Sequence, residues 1–147
     1  MFGNQTPKIL IVEDEPVNHS LYKAAFEKAG FEVTICADAE GDFIERVVDV
    51  APDIISMDLM IGMSGNEARD GFDAIELLKG DDRTKQIPVF VLSNFMQEER
   101  ITRAQEVGAA DYIVVQGQAL SEIANHYVRY LKDPKHYKPV HHAFVAE

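Results

Sequence analysis

A chain of 147 residues has room for one compact domain with its own core and is short for two. Its formal net charge of -11 argues against a general basic surface for nucleic acid or anionic membrane, and no apolar run approaches the length of a membrane span. Cys36 is the one cysteine, so an internal disulfide is excluded; MFGNQTPK has no apolar signal core, which makes cytoplasmic the expected location.

Lys8 to Val12 (KILIV) is a β-branched block of the kind found in strands covered on both faces. Pro16 suits the first turn of a helix, and Val17, Leu21, Ala24, Ala25 and Ala29 are predicted to form its apolar stripe up to a cap at Gly30. Phe31 to Cys36 reads as a second strand with Cys36 as a structural thiol. Ala39, Phe43, Val47 and Val48 line a second helix that ends before Pro52. The third strand, residues 53–57, leads into Asp58. A loop with Gly62, Gly65 and Gly71 follows, long for a strand-to-helix link. Phe72, Ile75 and Leu78 mark the third helix, closing near Gly80. Pro88 to Leu92 is the fourth strand, with Ser93-Asn94 at its end. Ile101, Ala104 and Val107 give a fourth helix stopped by Gly108, and Asp111 to Val115 is the fifth strand. Leu120, Ile123, Ala124, Tyr127, Val128 and Leu131 carry the cleanest helical stripe of the chain. The residues from Lys132 on, with His136, His141 and His142, read as a solvated or partly docked tail.

Five strands alternating with five helices predict an α/β fold, a five-stranded parallel sheet covered on both faces and joined by right-handed crossovers. In such folds functional groups gather beyond the carboxyl ends of the strands, where Glu13, Asp14, Asp58 and Ser93 all fall. An ionised Asp58 after the apolar IISM needs a reason to be there. If the first and third strands are neighbours, their carboxylates repel one another unless a hard divalent cation joins them.

Four motifs in order, ILIVEDEPVN, DIISMDLM, VFVLSN and GAADYIV, resemble the receiver domain of two-component response regulators from about Lys8 to Leu131. The resemblance implies the doubly wound, flavodoxin-like strand order 2-1-3-4-5. It implies a receiver domain over 1–131 (core 8–131) and a tail, 132–147, without an output domain. Asp58 would accept a phosphoryl group, and Glu13, Asp14, Asp58 and the Met60 backbone carbonyl would hold Mg²⁺. Ser93 would hydrogen-bond the phosphoryl oxygens, and Tyr112 matches the aromatic whose rotation reports their arrival. The implied donor is a histidine kinase or histidine phosphotransfer protein. The output would be a downstream protein bound at the surface of helix four, strand five and helix five, with neither nucleic acid nor membrane as partner. Such a domain is no enzyme beyond its own phosphorylation and dephosphorylation.

Two departures from the family pattern stand out. The usual Lys-Pro pair at the end of strand five is replaced here by Val115 and Gln116. The interval from Asp58 to Gly71 (71 − 58 = 13 positions) also exceeds the usual loop, which suggests that Arg69 swings over the site as a replacement cation. Met60 and Phe95, two residues past Asp58 and Ser93, are apolar and cannot orient attacking water, so a slow loss of phosphate is expected. The missing lysine also leaves open a phosphate-independent pseudo-receiver that acts as an interaction adaptor. A haloacid-dehalogenase-type phosphatase needs a second Asp where Met60 stands, and a flavodoxin needs a phosphate-cradling loop that Glu13-Asp14-Glu15 would spoil.

Overall fold

The computed structural model describes residues 5–61 and 69–145. The elements are β1 (Lys8–Val12), α1 (Pro16–Lys28), β2 (Glu32–Cys36), α2 (Phe43–Val50), β3 (Ile54–Met57), α3 (Gly71–Gly80), β4 (Val89–Ser93), α4 (Glu98–Val107), β5 (Asp111–Val114) and α5 (Leu120–Lys132). A short 3₁₀ turn, η1 (His142–Phe144), follows. The strands form one sheet in the order β2-β1-β3-β4-β5, every pair parallel, as the α/β reading anticipated. Among the described residues no helix is long and apolar enough to cross a membrane.

Both faces of the sheet are dry. Leu10, Val12, Ile55, Met57, Val89, Val91 and Tyr112 point to the layer of α2, α3 and α4, whose Phe43, Val47, Phe72, Ile75, Leu78, Ile101 and Ala104 cover them. Ile9, Ile11, Ile54, Phe90, Leu92 and Ile113 point the other way, onto α1 and α5 through Tyr22, Phe26, Ile123, Ala124, Tyr127 and Val128. Continuous apolar strands are what a sheet covered on both sides requires.

Two helix readings are corrected. In α1 the buried residues are Tyr22 and Phe26, whereas Val17 and Leu21 are 67% and 52% exposed. The two aromatics, one turn apart, have the bulk to fill the gap over the sheet, so they set the helix's rotation; Val17 and Leu21 face outward, while Ala29 still packs on the core. In α2 the helix starts only at Phe43; Ala39 is fully buried but lies in the preceding loop. The right-hand ends behave as expected. Gly30 and Gly108 adopt φ of 109° and 107°, the left-handed conformation that closes α1 and α4.

The tail is partly docked, exposed over 132–136 and held at several points beyond. Asp111, fully buried, accepts hydrogen bonds from Tyr137 Oη (2.6 Å), Val140 N (2.7 Å) and His141 N (3.2 Å), as well as from Tyr112 N (2.8 Å). Tyr137 packs on Phe90 and Tyr130, in the α1–α5 layer. Within η1, Ala143 and Phe144 pack against the opposite layer, and Gln105 of α4 donates to the Ala143 carbonyl at 2.9 Å. The tail therefore passes around the β5 edge from one layer to the other.

Candidate functional site

Register places the acids. Val12 and Met57 are partners across the β1–β3 ladder, so the residues that follow them, Glu13 and Asp58, leave the sheet side by side. The Asp58 amide donates to the Val12 carbonyl at 3.1 Å, and the Glu13 amide to that of Cys36 at 2.9 Å. One carboxylate oxygen from each of Glu13, Asp14 and Asp58 lies within 4.8 Å of the others, the sole such cluster of three His, Cys, Asp or Glu ligands among the described residues. The histidines of the tail form none: His136 pairs with Asp133, and His141 and His142 stack on each other.

Electrostatics bear out the strain of that arrangement. Burial, with Asp58 and Asp14 adding repulsion, pushes the Glu13 carboxyl from 4.5 up to about 7, against the Glu15 amide that donates to it at 2.9 Å. Burial raises Asp58 as well, with Asp14 adding to it, opposed by the Met60 amide that donates to its Oδ1 at 3.1 Å. Three clustered carboxylates, those of Glu13 and Asp58 held up by burial, offer the hard oxygen donors that suit a Mg²⁺ ion, which binds carboxylates together with water and phosphate oxygens.

These acids sit in a cleft of about 320 Å³ lined also by Glu15, Asn18, Tyr22, Met60, Leu92, Ser93, Asn94, Phe95 and Val115. Ser93 Oγ accepts from the Phe95 amide at 3.1 Å, and Tyr112, fully buried, donates from its hydroxyl to the Phe95 carbonyl at 2.6 Å. Ser93, the turn after it and the ring behind it are thus one connected unit. Tyr22 was invisible to motif reading. Its hydroxyl is pushed up to about 12, by burial first and then by Glu13 and Asp58. Its position one turn before Phe26 was the available signal.

Arg69 does not cover the site. Its guanidinium donates to the Ala39 carbonyl at 2.9 Å and reaches that of Gly41 at 3.5 Å, lining a separate groove with Asp73 and Glu76. The reason lies one residue on. The Gly71 amide donates to the Leu59 carbonyl at 3.1 Å, and Asp70 and Asp73 cap α3 reciprocally, so the chain re-enters the fold with Arg69 already turned toward α2. Gly62 and Gly65, expected in this loop, lie outside the described residues.

Comparison with known proteins agrees with this geometry. A family model described as "Response regulator receiver domain" matches residues 9–124. The chemotaxis protein CheY of Thermotoga maritima is 32% identical over 108 residues, 73% of this chain and 83% of that protein. The transcriptional regulator RpaA of Synechocystis is 33% identical over 108 residues, 73% of this chain but 42% of that protein, so the chain spans under half its length. Among solved structures, a signal receiver domain of a histidine kinase from Syntrophus aciditrophicus superposes with TM-score 0.71 at 27% identity, covering 94% of this chain and 99% of that one. A response regulator from Chloroflexus aurantiacus gives TM-score 0.75 at 21% identity, covering 87% and 99%.

Proposed function

The chain belongs to the response regulator receiver family, and from that premise we propose that Asp58 accepts a phosphoryl group from the phosphohistidine of a kinase or phosphotransfer protein and that the loaded form signals by binding another protein. The observation that carries the reading is the cluster of Glu13, Asp14 and Asp58 oxygens within 4.8 Å at the carboxyl end of a parallel sheet. Glu13, Asp14, Asp58 and the Met60 carbonyl would hold Mg²⁺, which supplies positive charge where an anionic donor meets an anionic acceptor.

The side chains do the rest. An Asp58 carboxylate oxygen attacks phosphorus in line; the bond to the imidazole nitrogen of the donor breaks and that nitrogen keeps the electron pair. The Met60 amide holds the other oxygen of Asp58 at 3.1 Å and so fixes the attack direction. Ser93 offers its hydroxyl to a phosphoryl oxygen. Moving toward that oxygen draws Ser93 Oγ away from the Phe95 amide whose hydrogen it accepts, a change that the Phe95 carbonyl passes to Tyr112. The surface that answers is that of α4, β5 and α5. Met60 and Phe95 supply no base for water, so the acyl phosphate is lost slowly, and a half-life of seconds counts against this.

Incubation with acetyl phosphate and Mg²⁺ followed by intact mass measurement is the test. The expected result is the gain of one phosphoryl group, absent in Asp58→Asn and absent with chelator. A second reading, a phosphate-independent adaptor, draws on Val115, an apolar side chain lining the wall of an acidic cleft that has no Lys or Arg lining it among the described residues. Absence of labelling in the wild type, with partner binding unchanged in Asp58→Asn, selects it.

A further inference from the structure

A cleft that gathers three carboxylates and then accepts a further anion needs more positive charge than one divalent ion supplies. None of its described lining residues is Lys or Arg, and residues 62–68, GMSGNEA, contain neither. Arg69 is committed elsewhere. The guanidinium of Arg100, on the first turn of α4, is not. It lies 4.3 Å over the Phe95 ring and its Nη1 is 3.8 Å from the Met60 sulfur, two residues that wall the cleft. Its charge reaches the Tyr112 hydroxyl. Asp70 and Glu99 line the groove on its outer side, yet Arg100 forms no ion pair among the described residues.

A half-buried guanidinium resting on an aromatic face and a thioether is held by soft contacts. A charge-assisted, two-pronged pair with phosphoryl oxygens is stronger than either. We propose that Arg100 is the cation of the loaded cleft: it leaves its seat on Phe95 and Met60 and pairs with the phosphoryl group on Asp58. This rests on Asp58 as the acceptor and adds which residue of the chain reads its charge. Because Arg100 belongs to α4, the same movement shifts the helix that borders the output surface, giving a second route beside Ser93 and Tyr112.

The test uses the full chain with Mg²⁺ and beryllofluoride, which forms a phosphoryl-like group on a carboxylate. Arg100→Met keeps an apolar, sulfur-bearing side chain over Phe95 and removes the charge; Arg100→Lys keeps the charge. Arg100→Met is expected to weaken beryllofluoride binding roughly tenfold or more, the range for a lost hydrogen bond to a charged group, and to flatten its dependence on salt. Arg100→Lys falls between the two, and binding of Mg²⁺ alone is not weakened. Equal affinity and salt dependence in all three proteins overturns the proposal while leaving Asp58 as acceptor. Equal loss in the Met and Lys variants assigns the effect to shape and overturns it too. If the wild type binds no beryllofluoride, the acceptor reading fails and this inference with it.

Discussion

Glu13 carries the cost of the acidic cleft. Its carboxyl is held up near 7 when folded and metal-free, whereas an exposed one titrates near 4.5. As pH rises from 4.5 to 7 the unfolded chain releases this proton before the folded one does, so stability falls across that window and is not regained above it. A Mg²⁺ ion held as proposed would favour the ionised form and cancel the loss. Calorimetry should therefore show a Mg²⁺-induced rise in Tm that is larger at pH 8 than at pH 5, and Glu13→Gln should flatten the metal-free pH profile between them. Gly71 is a second residue with a measurable role. A Cβ there would stand 2.5 Å from the Asp58 carbonyl oxygen and 2.7 Å from the Leu59 Cα, both backbone atoms. Gly71→Ala should cost about 1–3 kcal/mol in denaturant unfolding, and it should slow labelling of Asp58 by moving the turn that carries the acid.

At the scale of the elements, α3 is fixed at its start by the reciprocal caps of Asp70 and Asp73, with distances of 2.9 and 3.1 Å. Asp70→Ala should lower stability by about 1 kcal/mol, read from urea midpoints. The sequence was most readable where pattern and burial coincide. The apolar blocks KILIV and IISM had no other use than a sheet covered on both faces, and the acids behind them could only emerge at its carboxyl edge. It was least readable where bulk outranks hydropathy. Val17 and Leu21 are more apolar than Tyr22 but smaller, so the ring rather than the aliphatic pair faces the core. Arg69 failed for a different reason: the direction of its side chain is set by the Gly71 contact with Leu59, a pairing across the loop that no local pattern encodes. Arg100 was hidden because its partners, Phe95 and Met60, lie on two other segments.

Across the whole molecule, Asp111 joins what the sheet separates. A buried carboxylate that accepts from Tyr112, Tyr137, Val140 and His141 leaves four donors unsatisfied when removed. Asp111→Ala should cost roughly 2–4 kcal/mol and expose the segment after Lys132 to protease, while labelling of Asp58, at the opposite end of the strands, persists. Hydrogen exchange is the finer probe. With the tail in place, α4 and α5 amides should slow together, since Gln105 holds one end of the clasp and Tyr130 packs on the other. In Asp111→Ala their protection should separate.

The same clasp decides how the molecule bears load. Tension applied beyond Val145 meets the knot at Asp111 before it meets α5, so the last helix is sheltered from peeling turn by turn. The first rupture in a pulling experiment should release only the segment from Asp133 on, and that short event should vanish in the Asp111→Ala protein.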